Sequence, residues 1–194
     1  MAPNPSTILA FAGSTRADSY NKKLVRVAAE GARAAGASVT VIDLRDLPMP
    51  LYDGDFEASE GIPANAKVFK RLLLEHHGLL IASPEYNSSV PAVLKNAIDW
   101  ASRAEPGEAA LACFAGKVAG LVAASPGALG GLRGLVTLRS ILGNIRVLVV
   151  PEQVAVAKAH EAFAPDGSMI DAKQRDAVMG VGRAVARLVA GMER

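Results

Sequence analysis

The chain has 194 residues, about half of them hydrophobic (51%), with 18 glycines, few aromatics (5%) and a formal net charge of only +2. That length predicts one domain over residues 1–194 with enough chain to bury a core, and so small a charge excludes a nucleic-acid surface. The single cysteine, Cys113, excludes an internal disulfide and fits a reducing compartment.

At the start, Met1-Ala-Pro-Asn-Pro-Ser6 lacks the basic and apolar regions of a signal peptide, and no apolar run reaches the roughly 18 residues that span a bilayer. A cytoplasmic chain with no membrane partner is therefore expected. Residues 7–12 read as a first strand around Ile8-Leu-Ala-Phe11. Gly13 and a cluster of hydroxyls follow, and then Leu24, Val25, Ala28, Ala32 and Ala35 set a helical spacing over 20–35, closed by Gly36. Residues 38–43 alternate polar and apolar, as a strand near a sheet edge does. Residues 44–63 read as irregular, because Pro48, Pro50, Gly54 and Pro63 interrupt any period.

A helix over 64–76 is marked by Ala66, Phe69, Leu72 and Leu73. Residues 78–83 form a short continuous apolar run, the pattern of a strand buried on both faces. A polar loop over 84–90 precedes Pro91, which suits the first turn of a helix running to about 102. Residues 104–117 read as loop. A fourth strand over 118–124 ends in Ser125-Pro-Gly-Ala-Leu-Gly-Gly131, followed by a helix over 132–142. The fifth strand, 146–150, is expected to stop at Pro151. After an irregular stretch, 152–168, the last helix over 171–192 carries Val178, Val181, Val185, Leu188 and Val189 on one face.

Strict alternation of five strands and five helices predicts an α/β fold with an open parallel sheet covered on both sides. Ligands of such sheets lie outside the carboxyl ends of the strands, where strand order reverses. The loops after the first, third and fourth strands are rich in Gly, Ser, Pro and Asn, and a sheet ordered 2-1-3-4-5 makes those strands neighbours.

The first loop sits between strand and helix, where free backbone N–H groups and the helix dipole favour an anion. It lacks the Gly-x-x-x-x-Gly-Lys of a triphosphate site and the Gly-x-Gly-x-x-Gly of a dinucleotide site. Ser14, Thr15 and Ser19 with Arg16 suit a terminal monophosphate instead. The same residues also fit a plain capping turn, with Ser19 as the cap and Arg16 solvated, and the residues alone leave both readings open.

Three motifs carry a resemblance. Gly13-Ser-Thr-Arg-Ala-Asp-Ser-Tyr-Asn-Lys-Lys-Leu24 resembles the Gly-Ser-x-Arg-x-x-Ser-x-Asn-x-x-Leu loop of the NADPH-dependent FMN reductase family. Pro84-Glu-Tyr-Asn-Ser-Ser-Val-Pro-Ala-Val-Leu-Lys-Asn-Ala-Ile-Asp-Trp100 resembles its second signature almost residue for residue, and Ser125-Pro-Gly-Ala-Leu-Gly-Gly-Leu-Arg133 its third. The likeness runs from about residue 8 to 150, and the pattern is most similar to bacterial quinone and chromate reductases and azoreductases.

The resemblance implies a flavodoxin-like three-layer sandwich carrying FMN, with NAD(P)H as co-substrate. It places the phosphate on Ser14, Arg16, Ser19 and Asn21, with Thr15 and Tyr20 of the same loop also expected to bind the cofactor. The ring is expected along Pro84, Glu85, Tyr86 and Asn87, closed on the far side by Ser125 and Gly127. NAD(P)H would reduce the flavin, and a quinone, azo, nitro or chromate acceptor would then take the electrons, with no side chain needed as an obligatory acid or base. It also implies a homodimer or tetramer, with the 47–63 arm and the Asp99-Trp100 end of the third helix as candidate contacts.

Plainer readings stand beside these. Glu85 could be a solvated loop carboxylate, and Arg133 a surface charge or a partner of Tyr86 or Glu152 across subunits. Lys95 suits a solvated helix charge, and Asn96, Asp99 and Trp100 suit locking the third helix or an interface better than chemistry. His76, His77 and His160 lack metal-ligand spacing, so no metal is expected. The rival from another class is a flavodoxin-type electron carrier without a substrate of its own, which the near-neutral charge disfavours. A phosphate-triggered receiver domain would want an Asp after the third strand, where Ser83-Pro84-Glu85 stands.

Overall fold

The computed structural model describes residues 6–192. Apart from Ser6, the N-terminal hexapeptide lies outside the described residues. Five strands, Thr7–Ala12 (β1), Ser38–Asp43 (β2), Gly78–Ala82 (β3), Val118–Ala124 (β4) and Leu148–Val156 (β5), form one parallel sheet in the order β2-β1-β3-β4-β5. This is the order that brings the loops after β1, β3 and β4 together.

The helices are Tyr20–Ala34 (α1), Gly54–Glu60 (α2), Ala64–Glu75 (α3), Ala92–Ala101 (α4), Leu132–Asn144 (α5), Ala159–Ala162 (α6) and Ala172–Met192 (α7). Side chains alternate across each strand, so the central strands feed two cores. Ile8, Ala10, Leu80 and Val122 face Leu24, Ala28, Val181 and Val185 of α1 and α7. Leu9, Phe11, Leu79, Ile81 and Leu121 face Phe69, Leu73, Leu94, Ile98 and Leu138 of α3, α4 and α5. Every residue of β3 and β4 is buried, which is why those strands read as unbroken apolar runs.

Several expectations need correction. The 44–63 stretch is not wholly irregular: it holds a 3-10 turn, Leu44–Asp46, and α2, whose cap Asp53 accepts from the Asp55 and Phe56 N–H groups. Capping chemistry starts a helix here despite the flanking prolines. Pro151 also does not stop β5. The register slips between the Ala119–Val149 and Leu121–Gln153 pairs, so the proline falls in an irregularity of an edge strand, where no ladder N–H is required. Arg139 of α5 donates to the Val149 and Val150 carbonyls (3.2 and 2.8 Å) and so pairs the backbone that the slip releases.

The arm before α3 is fastened by α4. Asn96 accepts from the Tyr52 N–H and donates to the Pro50 carbonyl, both at 2.8 Å, and the Trp100 indole N–H donates to the same carbonyl at 2.8 Å. Trp100 is fully buried beneath Tyr52 and Phe56. It therefore lies under the arm and is not itself an outward contact surface, a correction to the expectation that included it.

Candidate functional site

The three polar loops meet at the carboxyl ends of β1, β3 and β4. Ser14, Arg16, Ser19, Tyr20, Asn21, Pro84, Glu85, Tyr86 and Ser125 line one cleft of about 100 Å³. An adjoining cleft of about 370 Å³ is lined by Glu85, Asn87, Ser88, Ser125, Gly127, residues 128–131 and Arg133. Thr15 lines a different groove, with Leu44, Met49 and Asn96. A cavity of about 380 Å³ lies elsewhere, beside β2. Its charged lining includes Lys22 and Asp43, which satisfy each other at 2.6 Å.

The first loop is tied to β3 by the Gly13 N–H on the Ala82 carbonyl (2.9 Å). Ser14 is buried, and its hydroxyl oxygen accepts from the Arg16 N–H (3.3 Å), leaving the hydroxyl proton to donate. Ser19 stands at the cap position of α1 with extended backbone, yet its side chain makes no capping hydrogen bond. The capping-turn reading would spend that hydroxyl on the helix; the structure does not. Arg16 is exposed, 6.0 Å from the Tyr20 ring centroid, and Tyr20 stacks on Phe163 at 6.1 Å. Lys23 pairs with Asp18 at 2.7 Å, and that hydrogen bond holds the Asp18 carboxyl below its ordinary range.

Asn21 does something the sequence did not reveal. Its amide donates to the Ala124 carbonyl and accepts from the Ala124 N–H, both at 2.9 Å, although the residues are 103 apart in sequence. This buried pair joins the first turn of α1 to the end of β4 and so ties the first loop to the third.

The second loop closes as a tight turn. Tyr86 and Ser89 exchange two backbone hydrogen bonds (3.0 and 3.1 Å) around Asn87 and Ser88, both left-handed at φ 51° and 66°. Two successive left-handed residues are what a two-residue turn of this hand requires, and Asn tolerates that region better than most. Tyr86 is exposed at the rim. Its N–H is spent inside the turn.

Glu85 is no solvated carboxylate: only 7% of its side chain is accessible. Arg133 donates to Oε1 through Nε (2.8 Å) and Nη2 (2.7 Å), and the Gly134 N–H donates to Oε2 (3.1 Å). Burial raises the Glu85 pKa, but these donors from the first turn of α5 outweigh it and hold the carboxyl below its ordinary range. Arg133 thus pairs with Glu85 within its own chain. In the third loop, Ser125 Oγ accepts from the Gly127 N–H (3.3 Å), and Gly131 caps α5 in a left-handed conformation. Among the described residues no group of histidine, cysteine, aspartate and glutamate could hold a metal ion.

The sequence profile of the NADPH-dependent FMN reductases matches residues 6–161. The chain belongs to that family. An NAD(P)H-dependent FMN reductase of Pseudomonas aeruginosa is 37% identical over 173 residues, 88% of each chain. The quinone reductase of Escherichia coli K12 is 33% identical over 175 residues, 89% of each chain. Among solved structures, FerB of Paracoccus denitrificans, described as a flavoenzyme NAD(P)H:(acceptor) oxidoreductase, superposes with a TM-score of 0.79. It is 28% identical, with 95% of this chain and 97% of that one covered. As a member of the NADPH-dependent FMN reductases, the protein is an FMN-dependent NAD(P)H oxidoreductase with a flavodoxin-like fold.

The two clefts fit FMN. At one end lie the uncommitted Ser19 hydroxyl, the donating Ser14 hydroxyl, the Arg16 charge and the first-turn amides of α1, which a helix cannot pair internally. At the other end, Gly127, Gly130 and Gly131 of the third loop and the Asn87–Ser88 turn line one wider cleft, and the glycines leave backbone without side chains beside a flat ring. Cys113 is buried away from the clefts, and burial pushes its thiol pKa up. No described helix is long and apolar enough to cross a membrane.

Proposed function

We propose that the paired clefts hold FMN and that the protein reduces a quinone-class acceptor at the expense of NAD(P)H. The observation that carries this reading is the Ser19 hydroxyl, set at a helix start yet withheld from the cap, beside Ser14 and Arg16. Ser14, Arg16, Ser19 and the first-turn N–H groups of Tyr20 and Asn21 hold the phosphate, with Thr15 adding its backbone to the loop. Pro84, Glu85, Tyr86 and Asn87 form one wall for the ring, and Ser125 with Gly127 the other. The Tyr86 N–H is already bonded to Ser89, so the Glu85 and Asn87 amides are the donors this wall offers. When bound, FMN supplies the two-electron chemistry that no side chain of the chain can perform. The protein binds and orients it, and fixed amide donors favour the build-up of charge on the ring edge.

The mouth beside the exposed Tyr86 and the half-exposed Arg133 leaves the wider cleft open to a small planar acceptor. The quinone choice is supported by the names of the relatives; azo, nitro and chromate acceptors are further classes that an open mouth admits. A homodimer or tetramer in the cytoplasm completes the proposal, with Leu51, Tyr52 and Phe56 on the outer face of the arm as exposed apolar side chains for contact.

Purified protein titrated with FMN, then with NADPH and a quinone, tests the reading through flavin absorbance and acceptor-dependent loss of NADPH. Arg16→Ala should weaken FMN binding about tenfold, because a charge-assisted contact to phosphate is lost. Wild-type FMN affinity in that variant would remove Arg16 from the site. NADPH oxidation that no acceptor accelerates would point to an electron carrier.

A further inference from the structure

We propose that Glu85 is a positioning residue for the FMN cleft. Through Arg133 and the Gly134 N–H, its carboxylate fastens the 84–89 loop to the first turn of α5, so that one ion pair sets the wall this loop gives the cleft. The inference rests on the FMN reading above and assigns Glu85 a task other than touching the cofactor with its side chain.

Three observations converge on it. The carboxylate is almost fully enclosed while its partner Arg133 keeps 58% of its side chain accessible, so the buried member is the one whose place is determined. Both carboxylate oxygens are engaged, one by the guanidinium and one by a backbone amide at a helix start, where the helix dipole also favours a negative charge. α5 is also shaped to receive the loop. A Cβ on Gly134 would lie 3.2 Å from the Glu85 Cβ and 3.3 Å from the Ser89 carbonyl oxygen, tighter than ordinary contact. The absence of a side chain there lets the loop seat directly against the helix.

The ends of the loop are held by the buried Pro84 and by Val90 against the second core, but its tip is not. Its tip consists of two left-handed residues closed by two local hydrogen bonds. Those bonds fix the turn internally but do not fix its place relative to the rest of the molecule. Glu85 supplies that, and it lines both clefts at the point where they adjoin. Loss of the carboxylate leaves the turn intact and held only at its two ends, which widens the range of separations between the two walls of the ring site. FMN binding then carries the entropy of ordering the loop.

The test uses apoprotein titrated with FMN, read by quenching of flavin fluorescence and by the visible circular dichroism of the bound flavin at saturation. Glu85→Ala and Arg133→Ala should each raise the Kd about tenfold, and the double variant should be no worse than the poorer single one, since both remove the same tether. Both singles should also alter the visible dichroism, which reports how the ring is held and which a purely structural role would not move. Glu85→Gln keeps an acceptor for Gly134 and should fall between wild type and Glu85→Ala. If Glu85→Ala does not fold, Glu85→Gln and Arg133→Ala decide the question in the same assays.

Wild-type Kd and dichroism in folded Glu85 and Arg133 variants overturn the inference, and so do losses that multiply in the double variant. Arg16→Ala separates this failure from that of the underlying reading. Weakened FMN binding in Arg16→Ala with unchanged binding in Glu85→Ala leaves the FMN site standing without the tether. A wild-type protein that fails to bind FMN overturns both.

Discussion

Ser19 and Asn21, two residues apart at the head of α1, show how differently two polar side chains can be used. Asn21 closes both of its hydrogen bonds on the Ala124 backbone in a buried setting. Asn21→Ala removes both and leaves a buried amide and carbonyl short of a partner, a loss of about 2 kcal/mol that urea unfolding would register. Ser19→Ala should change stability by less than about 0.5 kcal/mol, where a true cap costs more, because its hydroxyl caps nothing. The same Ser19→Ala protein should bind FMN more weakly in a fluorescence titration. A large stability loss in Ser19→Ala would restore the capping role.

At the scale of elements, the arm that precedes α3 depends on α4 for its place. Its own sequence carries three prolines and only a seven-residue helix, too short to stand alone. Asn96 and Trp100 converge on the single Pro50 carbonyl, and Arg103 reaches across to Glu57 (3.1 Å) and over the Tyr52 ring at 5.4 Å. Asn96→Ala breaks two of these links. It should speed limited proteolysis within residues 47–57 while costing only about 1–2 kcal/mol globally, because the arm meets the second core only at its edge, through the partly buried Leu47 and Met49. Unchanged proteolysis would mean that Trp100 and Arg103 hold the arm without Asn96.

For the whole molecule, the carboxylates predict the direction of acid stability. Burial raises the pKa of Asp43, Glu57 and Glu85, yet in each the hydrogen bonds of its partners prevail and the net shift is downward. Glu108 is lowered chiefly by the Glu105 N–H and by Lys70. A carboxyl with a lowered folded-state pKa adds stability that is complete above the ordinary range near about 4 and is lost as pH falls through and below it. Unfolding midpoints measured across that range should therefore drop with acidification. Replacing Glu108 with Gln should flatten the drop, because Lys70, itself buried and bonded to the Arg103 carbonyl, loses its charged partner at every pH. A drop of equal steepness in Glu108→Gln would move the effect to the other carboxylates.

The sequence by itself determined the alternation of strands and helices and the family, whose fold in turn implies the parallel order 2-1-3-4-5. These rest on short-range signals: the buried runs of β3 and β4, the helical spacing of α1 and α7, and three contiguous motifs. It missed β5 beyond Pro151, because a proline stops a strand by local rules, while a register slip and the Arg139 side chain that make it tolerable belong to the sheet. It likewise missed α2, where the Asp53 cap outweighs neighbouring prolines. The partners of Asn21, Glu85 and Arg133 were decided only by tertiary structure. Each lies dozens of residues away along the chain, and one charge cannot choose among many distant acceptors until the packing of α5 against the 84–89 loop excludes water and all but one of them.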